Sequence, residues 1–349
     1  MLDLANRPAF RDPRFWLLAA ALVCVAIGFI LPKVRLNRQV YDIMAFVDIT
    51  KSMNTRDVMV DGTPASRLEQ IKQVLPRFVA GLPCQSRFGL GLFTERRVFV
   101  LYDPMEICEN FSSIDSSIAN LDWRMAWEGD SYVTKGVHAA IALTERLQSS
   151  LLFFTDGHEA PPLPHTGMPP FEGEPGKVQG LLVGVGGKSL SPMPKFDEEG
   201  REIGVYGPRD VLQESRFGVA PTDAKDRPGY HPRNAPFGAM PEGNEHLGQV
   251  KEKHLKEIAA QTGLSYAPMS SPDGLIDVFE AAASPREVVV ATDIRPYPVA
   301  LALVLLVISY GVLPLRDRIV RSLRQIHQSL TSRSAPGSRL TTNPEERKN

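Results

Sequence analysis

The sequence predicts an α/β protein: a doubly wound, mostly parallel sheet with one antiparallel edge strand, flanked by two transmembrane helices. Three observations carry this. Short apolar runs of strand length alternate with segments of helical period, the order of a parallel sheet covered on both faces by helices. Two apolar runs early in the chain are linked by only Glu95-Arg96, which makes them a hairpin and supplies the antiparallel edge. Two uncharged stretches of about 18 and 20 residues lie near the two ends, each long enough to cross a bilayer.

The first stretch, 15–32, lies between Arg14 and Lys33, and the second, 296–315, between Arg295 and Arg316. Both are apolar all round with basic flanks, a pattern that fits a membrane span better than a helix of a soluble core. A cleaved signal peptide competes for the first, but Lys33-Val34-Arg35-Leu36 offers no small-x-small site after it, and bulky Val23 before Cys24 argues against lipid attachment. Charge bias sets the orientation. It is even around the first span, with Arg7, Arg11 and Arg14 before it and Lys33, Arg35 and Arg38 after it. Around the second, Arg316, Arg318, Arg321 and Arg324 outnumber Arg286 and Arg295. The N-terminus 1–14 and the basic tail 316–349 are therefore expected in the cytoplasm. A domain over 40–283 would then face the periplasm from a bacterial inner membrane. The tail, with Ile319, Val320, Leu323, Ile326 and Leu330 among arginines, reads either as an amphipathic helix on anionic lipid or as a solvated extension.

Within the central domain the elements follow in order. An apolar run at 43–47 is a strand buried on both faces. Ser66-Arg67-Leu68-Glu69 reads as a capping box, and Leu68, Ile71, Val74, Leu75 and Phe78 follow at helical spacing. Pro76 is expected to kink or shorten that helix and Gly81 to stop it. Strands at 88–93 and 97–101 form the hairpin, and a helix covers 111–121. A polar loop at 129–134 leads into a helix through Val137, Ala140, Ile141 and Leu147. Strands at 151–154 and 180–185, a helix at 250–261 stopped by Gly263, a strand at 264–267 and a closing helix at 273–283 complete the alternation. Two proline-rich connections, 158–177 and 188–246, interrupt it; the second begins with a hairpin over 195–205. Both leave from strand C-terminal ends, and loops of that length are either functional or disordered.

A net charge of -1 leaves no basic footprint for nucleic acid. The seven histidines and three cysteines include no closely spaced cysteine pair and no H-E-x-x-H, which argues against zinc. Cys84 precedes one strand of the hairpin and Cys108 follows the other, so antiparallel pairing brings them to one edge, as a disulfide or as two buried thiols.

The first strand ends in Asp48-Ile49-Thr50-Lys51-Ser52, a carboxylate and two hydroxyls at alternating positions. These are hard oxygen donors of the kind Mg2+ or Mn2+ prefers. In a parallel sheet, the loop carrying Ser131 and the strand end carrying Asp156 emerge at the same edge. Residues of these types also cap strand ends and helix starts without any ligand.

As a set, these residues resemble the metal-ion-dependent adhesion site of the von Willebrand factor type A (vWA) family, a Rossmann-like fold. Asp48 and Ser52 match its D-x-S-x-S motif, with Thr50 in place of a serine, and Asp156 within Thr155-Asp156-Gly157 matches its later aspartate. The family's loop threonine falls on Ser131 by spacing from Gly136, with Thr134 as runner-up. Further matches are the segments 87–93 and 255–263, so the resemblance covers about residues 40–283. It implies that Thr50, Ser52 and the loop hydroxyl touch a divalent ion, while Asp48 and Asp156 act mainly through water. A partner protein's Asp or Glu would then complete the shell.

A vWA domain between two spans is similar to bacterial membrane proteins encoded beside MoxR-type ATPases. Within that group the size and the absence of a helix after Thr155-Asp156-Gly157 are most similar to accessory proteins of methanol dehydrogenase clusters. That likeness implies a role in maturing the periplasmic enzyme, including calcium insertion, with the dehydrogenase, other accessory proteins or the ATPase as partners. The alternative is a general envelope or stress-related adhesion and assembly protein. An enzyme fits less well: Asp48-Ile49-Thr50 lacks the second carboxylate that a phosphatase D-x-D needs, and neither G-x-S-x-G nor a glycine-rich phosphate loop is present.

Overall fold

The computed structural model describes residues 12–30, 34–126, 130–164, 166–211 and 243–315. The tail 316–349, most of the N-terminus, Lys33, Gly129 and the 212–242 part of the second long connection lie outside the described residues. The chain divides into two compact units, one of residues 1–37 with 289–349 and the other of residues 38–288.

The larger unit is built on the apolar run at its start. In chain order, the first strands are β1 (Val34–Val40), β2 (Asp42–Asp48), β3 (Val58–Val60) and β4 (Thr63–Ala65). Helix α2 (Arg67–Gly81) follows, with α1 reserved for the helix Pro13–Ile30 of the smaller unit. Then come β5 (Arg87–Thr94), β6 (Arg97–Glu106), α3 (Ile107–Ala119), α4 (Val133–Arg146), β7 (Ser150–Thr155) and β8 (Gly180–Gly184). The long connection holds β9 (Ser191–Pro192), β10 (Pro194–Phe196), β11 (Glu202–Val205) and β12 (Leu247–Gly248). The chain closes through α5 (Glu252–Thr262), β13 (Ser265–Pro268), α6 (Pro272–Ala282), β14 (Arg286–Thr292) and α7 (Pro296–Val307).

The main sheet has six strands in the order β13-β8-β7-β2-β5-β6. All neighbours are parallel except β5 and β6, which form the antiparallel edge. Because successive side chains of a strand point to opposite faces, β2 feeds two cores. Ile43, Ala45 and Val47 pack with Ile71, Leu75 and Phe78 of α2, Ile114 of α3 and Phe279 of α6. Met44 and Phe46 pack on the other face with Val137 and Ile141 of α4 and Leu255 and Ile258 of α5. The sheet is therefore covered on both faces, an arrangement consistent with a vWA-like fold.

Several elements differ from the sequence reading. Pro76 does not shorten α2, which runs to Gly81. Ile71, Val74, Leu75, Phe78 and Val79 are all buried along it. At about 1.5–3 kcal/mol each, they outweigh the roughly 3 kcal/mol a mid-helix proline costs. Strand β6 continues past Leu101 to Glu106, and it tolerates Pro104 because it lies at the sheet edge. Helix α3 starts four residues early, since the Glu106 carboxylate accepts from the Glu109 N–H at 2.6 Å and caps it. An unexpected hairpin joins β3 to β4 through Asp61-Gly62, both at positive φ (48° and 79°), as a tight two-residue turn requires. Strands β1 and β14, also unexpected, pair as a two-stranded ribbon. Cys84 and Cys108 are joined by a disulfide, with Cα atoms 5.4 Å apart.

The smaller unit contains α1 and α7, and α7 continues through a π-helical turn at Ile308–Val312. Residues 13–30 and 296–315 form two helices long and apolar enough to cross a membrane. Leu22, Phe29, Ile30 and Leu303 are exposed along them, which a helix in a soluble core would bury.

Candidate metal centre

Strands β2 and β7 are hydrogen-bonded neighbours running in parallel, so the residues at their C-terminal ends, Asp48 and Asp156, emerge side by side. Both side chains are completely buried. Asp48 Oδ1 accepts the Thr50 N–H at 2.9 Å and the Thr50 hydroxyl at 2.7 Å, and Oδ2 accepts the Thr155 hydroxyl at 2.6 Å. These bonds turn the chain after β2 into a tight loop that brings Thr50 Oγ1 to 3.5 Å from Ser52 Oγ. With its proton committed to Asp48, the Thr50 oxygen turns its lone pairs toward any cation.

The loop before α4 supplies the third hydroxyl. Ser131 is tied to Ala160 by reciprocal backbone bonds of 2.6 and 2.7 Å, which anchor it to the segment following β7. Its Oγ is buried and has no hydrogen-bond partner among the described residues. A buried unpaired hydroxyl costs about 1–3 kcal/mol, and an ion bound here would relieve that. Thr134, the other candidate, is already satisfied: its hydroxyl donates to Glu159 Oε1 at 2.6 Å and its N–H to the same atom at 2.8 Å. The structure thus groups Ser131, and not Thr134, with Thr50 and Ser52.

Asp156 has partners inside the protein. Its Oδ1 accepts the His158 N–H at 2.9 Å, and its Oδ2 accepts from Nη1 of Arg67. Arg67 is itself wholly buried and binds Asp57 through Nε (3.0 Å) and Nη2 (2.6 Å). Two buried carboxylates, Asp57 and Asp156, thus share one guanidinium. Burial works against the Arg67 charge, but Asp156 and Asp57 outweigh it and raise its pKa above the ordinary value. For Asp48 the balance is unfavourable. Burial, and then the charge of Asp156, push its carboxyl up to about 7 despite the bonds from Thr155 and Thr50. A divalent ion beside it would reverse that penalty.

Neither Arg67 nor Asp57 was singled out from sequence. One signal was present: Arg67 lies four residues before Ile71 and seven before Val74, on the helix face that turns out to be buried. A charged residue on such a face needs a partner. The guanidinium also leaves no room above it. Gly186 has φ 122°, and a Cβ there would run into Arg67 Nε. Gly186→Ala is expected to cost about 1–3 kcal/mol, read as a lowered midpoint in thermal unfolding; an unchanged midpoint would mean the clamp is looser than described.

The three hydroxyls open into a pocket of about 250 Å³, lined also by Lys51, His158 and Glu159. Both long connections contribute to its walls, Pro161 from the first and Met193, Tyr206 and Glu245 from the second. Lys51 Nζ stands 5.9 Å above the Tyr206 ring at this mouth. Among the described residues a second group, Cys84, Glu106 and Cys108, brings its ligand atoms within 4.8 Å of one another. Its cysteines are bonded to each other, and both Glu106 oxygens accept backbone N–H groups, from Gln85 and Glu109. It is a structural joint.

The sequence matches no protein-family model and no curated protein. Among solved structures, the chain is similar to an aerotolerance-related membrane protein from Bacteroides fragilis NCTC 9343 (16% identity, 69% of this chain and 98% of that one covered, TM-score 0.42). It is also similar to the conserved hypothetical protein BatB from Bacteroides thetaiotaomicron (16% identity, 68% and 94% covered, TM-score 0.42). A third is an uncharacterized membrane spanning protein from Vibrio fischeri (16% identity, 69% and 96% covered, TM-score 0.25).

Proposed function

We propose that this chain is a membrane-anchored vWA-type protein that grips a carboxylate of a partner protein through a divalent ion, Mg2+ or Mn2+. The observation that carries this reading is the orphaned, buried Ser131 hydroxyl, in the same pocket as those of Thr50 and Ser52. Thr50, Ser52 and Ser131 would hold the ion, with the charge of Asp48 behind them. When bound, the ion supplies a positive charge that so few protein carboxylates leave largely uncompensated, ready for a partner's Asp or Glu.

Binding fits the site better than catalysis. Among the described residues one hydroxyl–imidazole pair, Thr134 Oγ1 and His254 Nε2, meets at 3.3 Å, but Glu159 lies 3.0 Å from that same nitrogen. A hydroxyl activated by histidine needs the carboxylate on the opposite ring nitrogen.

The partner and compartment follow from the sequence resemblance. Helices α1 and α7 would anchor the domain in the inner membrane with both termini cytoplasmic and the metal site periplasmic. The likeness to methanol dehydrogenase accessory proteins, the MxaL type, points to maturation and calcium insertion of that enzyme. It accords with this likeness that residues 156–179 hold no helix among the described positions.

Two measurements test the reading. Asp48→Asn in the full-length protein is expected to weaken Mg2+ or Mn2+ binding at least ten-fold, about 1.4 kcal/mol or more, with the far-UV spectrum unchanged. Partner capture that persists in a chelator would sink the adhesion site. Deleting the gene is expected to leave methanol dehydrogenase short of calcium, and a fully loaded enzyme in the deletion strain would refute that assignment.

A further inference from the structure

The vWA resemblance gives Asp156 to the ion, yet both of its oxygens are engaged from within the protein. Oδ1 accepts the His158 N–H, and Oδ2 accepts from Arg67 Nη1. The guanidinium is held on every side. It reaches Asp57 through two nitrogens and the Ser52 carbonyl through Nη1 at 3.3 Å. Gly186 and Gly248 close over it, and a Cβ at Gly248 would lie 3.1 Å from Nη2. Asp57 is fixed in turn by the Gly187 N–H at 2.9 Å. Among the described residues no guanidinium bond reaches Asp48, whose oxygens accept from Thr50 and Thr155. Asp48 thus bonds only to neutral donors, whereas Asp156 is paired with a buried guanidinium.

We infer that Arg67 is a built-in cation that withdraws Asp156 from the ion, so that the ion binds weakly alone and tightly only together with an external carboxylate. The inference rests on the adhesion-site reading and adds its regulation: ion and partner load as one event. Oxygen sites gain affinity with the number of charged ligands, and Arg67 removes one of them. With Asp156 neutralised by Arg67, a divalent ion beside Asp48 keeps more of its positive charge for an incoming carboxylate. Were Asp156 also to face it, little charge would remain to attract a partner. Coupling of this kind is reciprocal: the factor by which a carboxylate tightens the ion is the factor by which the ion tightens the carboxylate. Arg67 is thus a positioning residue, acting through Asp156 and not by touching the ion.

The test is a Mn2+ titration of the full-length protein in detergent, read from the sharp EPR spectrum of free Mn2+, with and without saturating acetate as the carboxylate. In the unmodified protein acetate is expected to raise Mn2+ affinity at least about five-fold. In Arg67→Met, Mn2+ affinity without acetate is expected to rise about ten-fold while the acetate effect falls below about two-fold. Because Arg67→Met leaves two buried carboxylates without a cation, Arg67→Met with Asp57→Asn is measured beside it as a guard against unfolding. That pair removes one buried charge of each sign, frees Asp156, and is expected to show the same gain. Arg67→Lys, which restores a cation, is expected to bring the acetate dependence back. Mn2+ binding that ignores acetate in the unmodified protein, or a folded Arg67 variant that binds Mn2+ no more tightly, overturns the inference and leaves the adhesion site standing. No Mn2+ binding in either condition overturns the adhesion site itself.

Discussion

Arg67→Ala is expected to destabilise the 38–288 unit by about 3–5 kcal/mol, the usual cost of removing one partner from a buried charge network. For a unit of this size that is a fall of roughly 10 °C in the thermal midpoint. Arg67 is fully buried, as are Asp156 and, within 2%, the side chain of Asp57. Without the guanidinium, both carboxylates must be protonated or remain charged in a dry site, and the Ser52 carbonyl loses a donor as well. An exposed pair gives the contrast. Arg56 and Glu202 also approach to 2.7 Å, but their side chains are 50% and 40% exposed. Arg56→Ala is therefore expected to cost under about 1 kcal/mol, and that pair weakens further with salt. If Arg67→Ala melts within about 2 °C of the unmodified protein, the cluster of Arg67, Asp57 and Asp156 is not charged as described.

The same cluster marks where sequence reasoning stops. The juxtaposition of Asp48 and Asp156 was legible because it follows from local rules. Each ends an apolar run of strand length, parallel strands send their C-terminal ends to one edge, and the helices between them force the strands to be parallel. The antiparallel edge was legible too, because Glu95-Arg96 permits no other connection. Arg67 was not, since its bond to Asp156 crosses 89 positions and no spacing rule links them. The choice between Ser131 and Thr134 was open for a similar reason. What bears on it is Glu159, 25 residues beyond Thr134, which occupies the Thr134 hydroxyl, and His254 on α5, which shares that carboxylate. The Asp61-Gly62 turn is a different kind of omission. The dipeptide is a strong hairpin signal, but the strands it joins are three residues each, too short for periodicity to register. Pro76 is the opposite case: the shortening that a local rule allows was outweighed by the face the helix buries.

Removing the disulfide through Cys84→Ser with Cys108→Ser is expected to destabilise the domain by about 3 kcal/mol, or roughly 6–12 °C in the thermal midpoint. The two cysteines are 24 positions apart and tie the end of α2 to the start of α3, closing the base of the β5–β6 hairpin. The native arrangement at this joint does not depend on the bond alone. Glu106 also holds the Gln85 and Glu109 N–H groups, each at 2.6 Å. The loss should therefore come from a freer unfolded chain, with little change in the folded hairpin. The third cysteine, Cys24, lies in α1 and is free, so Cys24→Ser is expected to leave the midpoint unchanged. The bond also bears on which side of the membrane the domain faces, because such a bridge persists in an oxidising compartment and is reduced in the cytoplasm. Protein drawn from cells into a thiol-blocking reagent is expected to show Cys84 and Cys108 protected until a reductant is added. Both cysteines reacting at once would place the domain on the cytoplasmic side. The adhesion site could then no longer meet a periplasmic enzyme, whatever its affinity for metal.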